Sequence, residues 1–120
     1  MQKIIHVDNS AFFRKVVKNF LTERGFLIEN YSQGGDALDL ICCGQVSLVL
    51  TGLSFSDMDG EVFIQKALEY VPELPIIAIT STQDQELEER LYDLGIKGRV
   101  LKSGAWKEQL IPMLNRFLSY

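Results

Sequence analysis

Apolar residues fall along this chain in two alternating patterns. Five short runs carry little polar interruption: Lys3 to Val7, Phe26 to Tyr31, Val46 to Leu50 or Thr51, Ile76 to Thr80, and Arg99 to Lys102. Between them, apolar positions recur every three or four residues. The first pattern reads as buried strands and the second as amphipathic helices. Phe13, Val16, Val17, Phe20 and Leu21 form the first helical stripe, closed by Gly25. Ala37, Leu38 and Ile41 form the second, after Gly34-Gly35. A third helix is predicted from about Gly60 to Val71, with Asp59 as its cap. Pro72 and Pro75 bracket the turn into the fourth strand. Leu87, Leu91 and Leu94 mark a very polar fourth helix ending at Gly95, and Trp106, Leu110, Leu114 and Phe117 align on the last.

Strands that are apolar at nearly every position need cover on both faces, which parallel strands with crossover helices provide. Five such strands alternating with five helices predict a doubly wound α/β domain, three layers deep. Ligands in such sheets bind beyond the carboxyl ends of the strands. The predicted ends bring Asp8-Asn9, Thr51-Gly52, Thr80-Ser81 and Lys102-Ser103 to that edge. An acid, an amide, a glycine, a hydroxyl and a lysine are expected in one cleft.

Size and charge remove several alternatives. A chain of 120 residues suits a single domain, residues 1–120. A net charge of −4 and the lack of a basic helix exclude a nucleic-acid partner. No apolar run approaches the ~18 residues of a membrane span, and the first residues do not read as a signal peptide, so a cytoplasmic location is expected. Cys42 and Cys43 are adjacent and far in sequence from the single histidine, His6, which disfavours a zinc site. Both cysteines are expected to pack at a helix end. His6 shares a strand face with Asp8 and reads as a core histidine with one hydrogen bond.

Val7-Asp8-Asn9-Ser10 followed by Arg14, the Met58-Asp59-Gly60 turn, Ile76 to Ser81, and Lys102 after Gly95 occur in an order and spacing that resemble the receiver domain of two-component response regulators. The resemblance covers the whole chain. It implies a flavodoxin-like (βα)5 fold with strand order 2-1-3-4-5 and a role in bacterial signalling. It also implies a phosphoryl transfer from a histidine kinase to an aspartate at the end of strand three, assisted by magnesium. On this pattern Asp8 matches the first acid after strand one, Asn9 the second, Thr80 the switch hydroxyl and Lys102 the lysine that pairs with the phosphoryl group. Counting back from Met58-Asp59-Gly60, the phosphoacceptor position is Gly52.

Glycine has no carboxylate, so no acyl phosphate forms there. With Asn9 as well, three carboxylates fall to Asp8 alone, and a productive magnesium site is not expected. No cofactor is expected either, and a direct Asp8–Lys102 ion pair is. Arg99 stands where active receivers carry a switching aromatic, and Ser103 replaces the proline that makes the preceding peptide cis. These departures resemble a degenerate receiver: not an enzyme, acting by phosphorylation-independent contact with a protein through the face of helix four, strand five and helix five. Asp84, Glu86, Glu88, Glu89 and Asp93 make that face acidic, with Arg99 beside it. Trp106 reads as core or edge packing. No membrane partner is implied, and the chain suits a stand-alone protein as well as a module excised from a larger one.

The alternative is an active phosphoacceptor receiver of a phosphorelay that uses a substitute carboxylate and needs magnesium. Asp57 and Asp59 are the nearby carboxylates, but Asp59 reads as a cap and Asp57 as a solvated turn residue. The Thr51 hydroxyl is expected to point into the packing, and Ser54 and Ser56 lack an activating base. A flavin module of the same topology would need a phosphate cradle after strand one, which "DNSAFFRK" does not offer. The emptied cleft leaves room for a small anion beside Lys102.

Overall fold

Strand and helix alternate strictly in the computed structural model, which describes residues 2–118. The elements are β1 (Lys3–Val7), α1 (Ala11–Glu23), β2 (Leu27–Tyr31), α2 (Gly34–Cys42), β3 (Leu48–Thr51), α3 (Gly60–Tyr70), β4 (Ile76–Thr80), α4 (Gln85–Leu94), β5 (Gly98–Leu101) and α5 (Trp106–Phe117). All strand pairs are parallel, in the order β2-β1-β3-β4-β5. The predicted flavodoxin-like, doubly wound three-layer architecture is thus the observed one.

Alternation along the strands divides the core. Ile4, Leu48, Leu50, Ile77, Ile79 and Val100 pack under α1 and α5, against Phe13, Val17, Phe20, Trp106 and Leu110. Ile5, Val7, Val49, Ile76 and Ala78 face α2, α3 and α4, against Ile41, Phe63 and Leu91. Because successive strand residues point to opposite faces, this parity continues past the strand ends and fixes where Asp8, Gly52 and Lys102 point.

Local chemistry sets the boundaries. The Ser10 hydroxyl accepts the Phe13 amide at 3.1 Å to cap α1, and Asp84 accepts the Leu87 amide at 3.2 Å to cap α4. Gly95, at φ 119°, ends α4 in the left-handed conformation that glycine adopts without penalty. Four strand ends differ from expectation by one or two residues: β2 starts at Leu27, β3 at Leu48, and β5 runs from Gly98 to Leu101, leaving Lys102 just past its end.

One local expectation is extended and two are overturned. Asp57 is exposed in a bend, as a solvated turn residue should be, but its carboxylate also accepts the amides of Gly34 at 3.1 Å and Gly35 at 2.9 Å, capping α2 from a distant loop. The glycine pair therefore lies inside the first turn of α2 and not before it. Asp59 occupies the position before α3, yet its side chain makes no cap hydrogen bond. The chain is held there by the backbone instead, the Gly60 amide donating to the Leu53 carbonyl at 2.9 Å. A Cβ on Gly60 would come within 2.4 Å of Leu53 Cα, so only glycine fits this close approach. Cys42 and Cys43 are exposed free thiols, because the buried stripe of Ala37, Leu38 and Ile41 turns them outward.

Candidate functional site

Backbone hydrogen bonds extend the sheet just past its carboxyl edge and carry the candidate residues with it. The Asp8 amide donates to the Tyr31 carbonyl (3.0 Å), Gly52 to Val7 (2.8 Å) and Lys102 to Thr80 (2.6 Å). Asp8, Asn9, Gly52, Thr80 and Lys102 all line one open cleft of about 310 Å³, with Ser54 and Leu87 on its wall. Sequence reasoning placed these five together, and they are together.

The centre of the site is Asp8, whose side chain is 2 % exposed. Its Oδ1 accepts the Ser10 amide at 2.9 Å. Lys102 Nζ lies 3.3 Å from Oδ2 and 3.5 Å from Oδ1, the expected ion pair. The ammonium also sits 4.3 Å from the centroid of Phe13, over the ring. Lys102 is therefore folded back between a carboxylate and an aromatic face, and an anion in the cleft must compete with both. Arg14 reaches under the loop to donate to the Asp8 carbonyl at 2.6 Å.

His6 is wholly buried behind Asp8, and its Nε2 is 3.6 Å from Oδ2, outside hydrogen-bonding range. Both ring nitrogens lack a hydrogen-bond partner among the described residues, so the single hydrogen bond expected of this core histidine is not made. Burial pushes the imidazole below its ordinary pKa; Asp8 opposes this, while Lys102 and Arg14 reinforce it. Burial drives the Asp8 carboxyl up, but His6, the Ser10 amide and Lys102 together outweigh it and hold the group below the ordinary carboxylate value.

Gly52 is not a conformational necessity. Positive φ among the described glycines occurs at Gly25, Gly44 and Gly95, not here. A Cβ on Gly52 would point at the Asp8 carboxylate, 3.3 Å from Oδ2 and 3.5 Å from Cγ. The Thr51 side chain turns inward, donating to the Gly52 carbonyl at 2.7 Å. Thr80 lies on the α4 side of the sheet, with its hydroxyl donating to the Thr82 carbonyl at 3.3 Å. Asp57 and Asp59 do not line the cleft. Ser56 faces away from it, accepting from Gln33 at 3.1 Å.

Arg99 sits outside the cleft, on the α4–β5 face. It pairs with Glu88 at 2.9 Å and borders a groove of about 620 Å³ with Tyr92, Glu89 and Asp93. Every peptide bond among the described residues is trans, including Lys102–Ser103. Trp106 is 7 % exposed and packs edge-on against Phe13 and Phe20, as core. Sequence reasoning missed Phe13 as the platform for Lys102, because on the helical stripe it looked like core alone. The Asp57 bonds to α2 were missed too, since no local pattern links positions 23 and 22 residues apart.

A parallel doubly wound sheet with an acid and a lysine paired beyond its carboxyl edge defines the class of this domain. Residues 4–115 match the response regulator receiver domain, and the chain belongs to that family. It is 28 % identical over 123 residues to chemotaxis protein CheY-3 of Vibrio cholerae, covering 95 % of this chain and 92 % of that protein. It is 25 % identical over 93 residues to sensor histidine kinase RcsC of Escherichia coli, covering 78 % of this chain but only 10 % of that protein. Its fold matches the Mg2+-BeF complex of response regulator TrrA from Thermotoga maritima with a TM-score of 0.86, at 23 % identity and over 98 % of this chain and 100 % of that one. Receiver domains act in signal transduction with protein partners. No helix among the described residues is long and apolar enough to cross a membrane.

Proposed function

We propose that this receiver domain takes no phosphoryl group and signals by phosphorylation-independent contact with a protein. The observation that carries the reading is Gly52, the residue at the phosphoacceptor position. It lines the cleft beside Asp8, its missing side chain would point at that carboxylate, and the backbone there does not require glycine. The resident chemistry does not suit magnesium. The cleft offers one carboxylate, Asp8, already held by the Lys102 ammonium at 3.3 Å, and the Asn9 amide is a weak ligand for a hard cation. On this reading the domain needs no cofactor, catalyses no reaction and works in the cytoplasm. Its partner meets the α4–β5–α5 face, where the Arg99–Glu88 pair replaces an aromatic switch.

The test is a backbone-amide NMR titration with magnesium, then with magnesium plus beryllofluoride. Amides of Asp8, Gly52, Thr80 and Lys102 are expected to stay in place. A saturable shift would mean that a substitute carboxylate serves as acceptor, and the proposal would fall.

A further inference from the structure

The two faces of the sheet carry opposite charge. Helices α1 and α5, with the α1 cap Arg24, hold six basic side chains against two acidic ones, whereas α2, α3 and α4 hold two basic against eight acidic. On the acidic side the arginines are paired, Arg90 with Glu61 at 3.0 Å and Arg99 with Glu88 at 2.9 Å. On the basic side Arg24 and Lys107 have no carboxylate within ion-pair distance among the described residues.

These two cations converge on one ring. Arg24 Cζ is 3.9 Å and Lys107 Nζ 5.1 Å from the centroid of Phe20, which puts them within about 9 Å of each other. They flank a groove of about 390 Å³ between α1 and α5, floored by Phe20, Ile111 and Pro112, with Glu108 on its rim. Two like charges held over an aromatic floor repel each other, and a carboxylate laid between them relieves that repulsion. We propose that this α1–α5 groove docks an acidic, amphipathic helix of a partner protein, with an apolar residue seated on Phe20, Ile111 and Pro112 and carboxylates on Arg24 and Lys107. The apolar floor of Phe20, Ile111 and Pro112 favours such a helix, which brings an apolar anchor with its charge, over a phosphate backbone or a lipid headgroup. This surface is distinct from the cleft and from the groove bordered by Arg99, and it stands whether or not the domain is phosphorylated.

Trp106 provides a built-in reporter, since its ring lies 5.2 Å from Phe20 and 5.7 Å from Lys107 Nζ. The probe is a capped peptide of the sequence QDQELEERLYDLG, an acidic helix with a leucine stripe. The controls are the same peptide with each Asp and Glu replaced by Lys, anionic phosphatidylglycerol vesicles, and a single-stranded oligonucleotide. The acidic peptide should shift the amides of Phe20, Lys107 and Ile111 saturably and change Trp106 fluorescence. Arg24→Glu with Lys107→Glu should weaken it about tenfold, equivalent to ~1.4 kcal/mol, and Glu108→Lys should strengthen it. Both positions are exposed, and an unchanged near-ultraviolet circular dichroism spectrum establishes that the variants fold. The proposal is overturned by no saturable response, by an equal response to the lysine peptide, or by tighter binding of vesicles or oligonucleotide. It is also overturned if sedimentation shows a dimer that Arg24→Glu dissolves, which would make a second copy the occupant.

Discussion

Acidification tests whether burial or the neighbouring carboxylate governs His6. The imidazole is wholly buried, with Asp8 Oδ2 at 3.6 Å and the Lys102 ammonium beyond it, and burial holds its pKa below the ordinary 6.5. The sign follows directly. Unfolded chains take up a proton at His6 as the pH falls through 6.5, while folded chains resist, so stability present above that pH is lost below it. If the folded ring stays neutral, going from about pH 7.5 to about pH 5.5 removes ~1.4 kcal/mol of stability through this residue. Urea unfolding followed by Trp106 fluorescence at the two pH values measures the loss. His6→Gln, which binds no proton, removes this contribution and leaves that of the carboxylates, so the variant should lose less than the wild type over the interval, by up to about 1.4 kcal/mol. Parallel losses in the two proteins would refute the reasoning. They would mean that the folded ring gains its proton at the usual pH and that the Asp8 carboxylate offsets burial.

Lys102→Met leaves the Asp8 carboxylate buried with only the Ser10 amide and a neutral His6 beside it. Urea unfolding at neutral pH should show a loss of about 1–3 kcal/mol, and the gap to wild type should narrow in acid, because the carboxyl then titrates higher when folded. Asp57→Ala removes the acceptor for the Gly34 and Gly35 amides and should lower stability by about 1 kcal/mol. The Gly35 amide above all holds that carboxyl below its ordinary value, so wild-type Asp57 contributes stability above pH 3.8 and loses it as the pH falls further. A thermal melt at neutral pH and another in acid would show the deficit shrinking.

The fold was legible because its signals are local and repeated. Each strand is a run such as Ile76 to Thr80, with all five residues buried, and each helix carries a stripe such as Leu110 and Leu114. The cleft was legible because strand order and parity project residues at strand ends to one edge. What stayed hidden depends on contacts between distant segments. Asp57 reads as a turn residue until α2 is seen to start above it, and Cys42 reads as packing until the helix phase turns it outward. His6 was expected to make one hydrogen bond, but 3.6 Å separates it from its nearest partner, a detail of side-chain placement that no pattern encodes.

Whether the silence expected of this receiver lies in Gly52 alone can be settled by putting carboxylates back. Gly52→Asp adds a negative charge beside Asp8: the first side-chain atom already meets Oδ2 at 3.3 Å, and Asp8 has little freedom to retreat, pinned by Ser10 and Lys102. Two carboxylates then share one ammonium, and like charges at this spacing raise the pKa of one of them. The variant should be less stable than wild type at neutral pH and recover in acid, since the raised carboxyl binds its proton more readily when folded. Magnesium should rescue it poorly, because Asn9 still offers an amide where a hard cation favours a charged oxygen. Adding Asn9→Asp supplies the third carboxylate, and the double variant should show a melting temperature that climbs with magnesium concentration, as binding to the native state alone requires. If Gly52→Asp by itself gains full magnesium-dependent stabilisation, Asn9 is no obstacle. On the proposed reading, the silence of the site would then rest on a single missing side chain.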